Sequence, residues 1–157
     1  MDADTLLDLG ESRYGGLVRR ETWGERVLFY NPDGELPRGR YFVTVKEGDG
    51  ENDRASALDR PGVYRLNIGL SKEWYRERFG PLPDRPGKGV VVDTGHDFTV
   101  TDELLPHPVY AWAGWVSVLS PSDGTIEDLW PLLDAAYERA VAGYEARMRR
   151  EQRSTAW

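Results

Sequence analysis

Apolar positions recur along the chain with two different periods, and the switches between them mark the elements. The most apolar stretch is residues 107–121, where Tyr110, Trp112 and Trp115 precede the alternating run Val116-Ser117-Val118. Its second half predicts a strand deep in a sheet, since only backbone pairing can satisfy its polar groups there. Other short β-forming runs lie at 17–21, 26–30 and 41–45. The second and third of these are separated by Asn31-Pro32-Asp33-Gly34 and Pro37-Arg38-Gly39, turn sequences that predict antiparallel pairing. Residues 63–68 alternate, with Arg65 and Asn67 sharing one face of a half-buried strand. Val90-Val91-Val92 suggests a short edge strand, and 96–105 reads as irregular.

Helical spacing appears three times. Leu6, Leu7 and Leu9 predict a short helix over 2–9 that Gly10 stops. Ser71 caps a second helix from Lys72 to about Phe79, with Gly80 and Pro81 ending it and Leu70 placed to staple against Tyr75. The third is the longest. Ile126, Leu129, Trp130, Leu133, Tyr137, Ala140, Val141 and Tyr144 share one face, and Thr125 with Asp128 resembles a capping box. Pro131 predicts a kink or a tight start in it. Together these elements predict an α+β fold of two layers, a twisted antiparallel sheet with helices packed on one face.

Length and composition then narrow the picture. The 157 residues suit one domain, 1–157, with an Arg-rich helical end at 145–157. With no cysteine, disulfides, thiolate nucleophiles and cysteine zinc sites are excluded. The acidic start Met1-Asp2-Ala3-Asp4 is unlike a secretory leader, and no apolar run has membrane-spanning length, so a cytoplasmic protein is expected. The formal charge is −7, and 17 of the 20 basic residues are Arg, a bias that suits a GC-rich genome. That charge disfavours nucleic acid as a partner without forbidding a local basic face, and the five Arg from 139 onward supply one.

Three segments carry a family resemblance: Phe29-Tyr30-Asn31-Pro32-Asp33-Gly34 with Leu36-Pro37-Gly39; Leu58-Asp59-Arg60-Pro61-Gly62-Val63-Tyr64-Arg65-Leu66-Asn67-Ile68-Gly69; and His107-Pro108-Val109-Tyr110 with Gly114-Trp115-Val116. Together they resemble the MmcQ/YjbR-like domains, and more nearly an actinobacterial family of unknown function in or beside that group. The resemblance implies a compact fold similar to type III secretion chaperones. It also carries a suggestion of DNA binding made from shape alone, which is fold-level analogy. The chain departs from the pattern in a short N-terminal helix and in an insertion-like segment at 83–96.

Few residues are placed for chemistry. His107 stands between two prolines beside Tyr110, either as a general base or pocket donor, or as a turn histidine bonded to the backbone. Arg65, Asn67, Trp74, His107, Tyr110 and Trp112 form a candidate ligand pocket of aromatic walls with an Arg and an amide to orient a ligand. Structurally, the same residues can simply close the sheet, with Arg65 paired to an acid. His96 near Asp97, Asp102 and Glu103 lacks the spacing that fixes a metal, and the acidic segment 47–62 lacks a calcium-loop register, so a mobile solvated loop is expected there and no metal or cofactor is assigned. Gly87-Lys88 lacks the rest of a phosphate loop. No catalytic constellation assembles from the sequence. The expectation is therefore a noncatalytic binding or interaction domain, monomeric or homodimeric, with a protein or small-molecule partner and no membrane. DNA binding and an enzyme using His107 are the alternatives.

Overall fold

The computed structural model describes residues 1–155. The two residues beyond them, at the end of the Arg-rich stretch 145–157, lie outside the description. The chain runs α1 (Ala3–Arg13), β1 (Leu17–Thr22), β2 (Glu25–Tyr30), β3 (Arg40–Lys46), β4 (Arg65–Gly69), α2 (Lys72–Phe79), β5 (Leu104–Pro106), a single 3-10 turn (Ala111–Ala113), β6 (Trp115–Leu119) and α3 (Asp123–Thr155). The six strands form one sheet in the order β1-β2-β3-β4-β6-β5, with every neighbouring pair antiparallel. The expected α+β fold with helices on one sheet face is the fold observed.

Alternation along the strands assigns the faces. Leu28, Phe42, Val43, Val45, Leu66, Ile68, Val116 and Val118 turn toward the helices. They meet Ala3, Leu6 and Leu7 of α1 and Ile126, Leu129, Leu132, Leu133, Ala136 and Ala140 of α3 in one core. Burial of each large side chain contributes roughly 1.5–3 kcal/mol, so this face dominates the stability. The Tyr14 hydroxyl, just past α1, donates to Asp134 of α3 at 2.5 Å, which ties the two helices together.

A bulge breaks the alternation. Leu28 pairs with Val43 while Phe29 pairs with Tyr41, so Phe42 is an extra residue in β3. Phe42 and Val43 both join the helix-side core, and Tyr41 and Thr44 come to lie on the opposite face.

Several elements differ from the sequence expectation. The first helix continues through Gly10 to Arg13, because Gly10 is buried where an added Cβ would stand 3.1 Å from Leu28. The third helix starts at Asp123, three residues early, with Ser122 Oγ accepting from the Thr125 amide in place of the expected Thr125 cap. Val90, Val91 and Val92 form no strand; the Val92 amide donates to the Pro108 carbonyl instead. The stretch read as irregular, 96–105, runs into β5 at Leu104, a strand short enough to escape a periodicity test.

The acidic segment is an irregular loop exposed along much of its length, as expected, but it is tied down by its own carboxylates. Asp49 accepts from the Leu58 amide, Asp59 accepts from the Asp49 amide, and Asp53 reaches Arg65. Asp49 and Asp59 bond within the segment, and Asp53 ties it to Arg65 on the sheet face that the helices leave open.

Candidate functional site

The open face of the sheet is polar at its centre. Alternate residues of the adjacent strands β2, β3, β4 and β6 bring Glu25, Thr44, Asn67 and Ser117 together there, with Arg65 and Lys46 beside them. Arg65 is fully buried at 0% exposure. Its Nη1 and Nη2 donate to Asp53 Oδ1 and Oδ2 at 3.0 and 2.5 Å, a bidentate pair. Nη1 also donates to Ser56 Oγ at 2.9 Å and Nε donates to Asn67 Oδ1 at 2.7 Å. The buried cation is thus neutralised and hydrogen-bonded, the condition under which an interior charge is tolerated.

Asn67 passes the network on. Its Nδ2 donates to Thr44 Oγ1 at 2.9 Å and to Glu25 Oε1 at 3.0 Å, and the Thr44 hydroxyl donates to the same Glu25 oxygen at 3.0 Å. Glu25 is therefore held by neutral donors from two other strands. It forms no ion pair among the described residues.

His107 closes the other end. Its Nδ1 accepts the backbone N–H groups of Val109 and Tyr110, both at 3.0 Å. A nitrogen that accepts carries no proton, so the ring is neutral with its proton on Nε2. Burial holds the imidazole well below its usual pKa, and the positive charges of Arg65 and Lys46 push the same way. Nε2 lies 3.5 Å from Arg65 Nη2, a contact between two donors.

Above this floor lies a cavity of about 510 Å³, lined by Thr22, Trp23, Glu25, Val27, Tyr41, Thr44, His107, Tyr110 and Trp115. That volume is in the range of small-molecule sites. Four of the lining residues are aromatic besides His107. Tyr41 and Trp115 meet edge to face with ring centres 6.3 Å apart, and His107 lies 5.2 Å from Tyr110 and 6.4 Å from Trp115. Gly69 makes room for this wall, since a Cβ there would stand 2.9 Å from the Trp115 ring. Trp23 stands at the rim, 76% exposed, in the tight turn between β1 and β2.

Of the residues proposed from sequence, Arg65, Asn67, His107 and Tyr110 come together on this face, with Arg65 and Asn67 beneath the cavity and His107 and Tyr110 lining it. Trp74 and Trp112 do not line it. Trp74 lies on α2 at 36% exposure, and the Trp112 ring packs beside the helix-side core under the Arg85 guanidinium, 4.7 Å away. Arg65 is paired to an acid, as the structural reading has it, and is not itself among the residues that line the cavity. The His107 ring does bond the backbone, as an acceptor of N–H groups and not through a carbonyl.

Sequence reasoning missed Glu25, Thr44, Asp53, Tyr41, Trp115 and Trp23. Strict alternation separates Tyr41 from Thr44, and only the bulge unites them. Asp53 lay in a segment read as solvated. Glu25 had one available signal: it faces the same way as Val27 and Phe29, so a carboxylate stands on a buried strand face.

Among the described residues no helix is long and apolar enough to cross a membrane, and no cluster of three His, Cys, Asp or Glu could hold a metal. No curated protein and no solved structure matches the chain. A family model does match, over residues 1–150, and on that evidence the chain belongs to DUF6194, a family of unknown function.

Proposed function

We propose that this protein is a noncatalytic small-molecule-binding domain whose ligand occupies the cavity on the open sheet face. The observation that carries the reading is the floor. A hydrogen-bonded chain from Asp53 through Arg65 and Asn67 to Glu25 fixes polar groups beneath aromatic walls before any ligand arrives. Such preorganisation lowers the ordering cost of binding. His107 supports a positioning role over general-base chemistry: its Nδ1 is taken by backbone amides, and no carboxylate orients it among the described residues. The kinship with MmcQ/YjbR-like domains belongs to the same reading as an analogy of fold, as does action in the cytoplasm.

DNA binding has less support. The charge of −7 opposes phosphate attraction, and Arg147 on the basic end of α3 is already paired with Glu151.

The test is a ligand-observed NMR screen of neutral, anionic and cationic fragments against the whole protein. Saturable binding by at least one class is expected. Failure of every class to bind would contradict the reading.

A further inference from the structure

The cavity's charge identifies the class of its ligand. Glu25 is the one charged side chain among the described residues that line it. The Glu25 carboxylate accepts only from a hydroxyl and an amide, so its charge is solvated without being neutralised. Three cations lie nearby: Arg38, whose guanidinium stands 5.9 Å from the centre of the Trp23 ring at the rim, and Arg65 and Lys46, whose charges reach His107 but whose side chains do not line the cavity. Arg65 is locked to Asp53 by two hydrogen bonds and has no exposed surface. The Lys46 ammonium is turned to the neighbouring loop, 3.0 Å from where a Cβ on Gly50 would stand. His107 adds no charge, because its Nδ1 is an acceptor.

What faces the cavity is thus one anion and the rings of Trp23, Tyr41, Tyr110 and Trp115. The faces of such rings carry negative potential and attract cations within about 6 Å of their centres. An aromatic enclosure with a single carboxylate attracts an organic cation by both terms, and penalises an anion by both. A neutral ligand of the same shape would gain the apolar contact alone.

From this arrangement we infer that the cavity takes an organic cation, a substituted ammonium whose charged head lies between Glu25 and the aromatic walls. The inference rests on the reading of the cavity as a ligand site, and it adds the ligand's charge and the residue that selects it.

Choline and 3,3-dimethylbutan-1-ol, its uncharged carbon counterpart, make a matched pair of probes, with acetate as the anion. Calorimetric titration at low salt is expected to show choline binding at least tenfold tighter than the neutral alcohol, and no acetate binding. Glu25→Gln keeps an oxygen to accept from Thr44 and Asn67, so it is expected to fold as the parent does, which circular dichroism checks. It is expected to lose at least tenfold in choline affinity while binding the alcohol unchanged. Equal affinity for choline and the alcohol, or unchanged choline binding in Glu25→Gln, would overturn the inference. If neutral or anionic fragments bind the cavity and choline does not, the cation assignment alone falls. If no compound of any class binds, the ligand site falls with it.

Discussion

Arg65 is the residue on which the open face depends. Its charge is tolerated only because Asp53 accepts from both terminal nitrogens. Arg65→Met should therefore leave Asp53 uncompensated and cost about 3–5 kcal/mol, whereas Arg65→Met with Asp53→Asn should recover much of that loss. Urea unfolding of the two variants measures both, and equal losses would mean that the pair is not coupled. His107 makes a separate, pH-dependent contribution. Burial keeps it neutral in the folded chain, while in the unfolded chain it takes up a proton near its ordinary pKa of about 6.5. Below that pH the unfolded state binds the extra proton, so this stability is complete above about pH 6.5 and is lost as pH falls, by up to about 1.4 kcal/mol per unit. His107→Gln should flatten that part of the stability–pH curve. A parent and variant falling in parallel between pH 6.5 and 5 would show that the histidine is not held neutral.

At the scale of elements, the β1–β2 turn holds a bulky residue in the left-handed region. Trp23 and Gly24 both have positive φ, 56° and 72°, as a two-residue hairpin of the primed type requires. Glycine or asparagine suits the first of those positions, and a bulky residue there is strained by roughly 1–2 kcal/mol. The indole is also mostly exposed, so core packing does not explain it. Lining the cavity does. Trp23→Asn should raise stability by about 0.5–1.5 kcal/mol, after allowing about 0.5 kcal/mol for the lost contact with Arg38, and should weaken ligand binding. Thermal unfolding beside a choline titration checks both, and a less stable variant with intact binding would refute the assignment. The elements also show what a sequence conceals. Helix periodicity and the Ser71 cap were legible because local spacing determines them. The bulge at Phe42 was not, since nothing in Arg-Tyr-Phe-Val-Thr-Val-Lys distinguishes a pleated strand from one carrying an extra residue. Gly10 misled for a related reason: its small size serves a close approach to Leu28, which only tertiary structure reveals.

For the whole molecule, the two sheet faces divide the labour. One buries the apolar residues of α1 and α3 and supplies stability; the other is covered by the 47–63 segment and the residues around His107, leaving an aromatic recess. The helical face was legible as a class, because apolar periodicity reports burial directly. The recess was legible only in part. Arg65, Asn67 and His107 stood out as polar residues in apolar settings, but their partners Asp53 and Glu25 lie 12 and 42 residues away from Arg65 and Asn67, with no local pattern to connect them. Backbone amide NMR tests the resulting account most directly, by mapping where the best-binding fragment perturbs the labelled protein. The account predicts shifts confined to Thr22–Val27, Tyr41–Thr44 and His107–Trp115, and shifts clustered on α3 or spread without focus would contradict it.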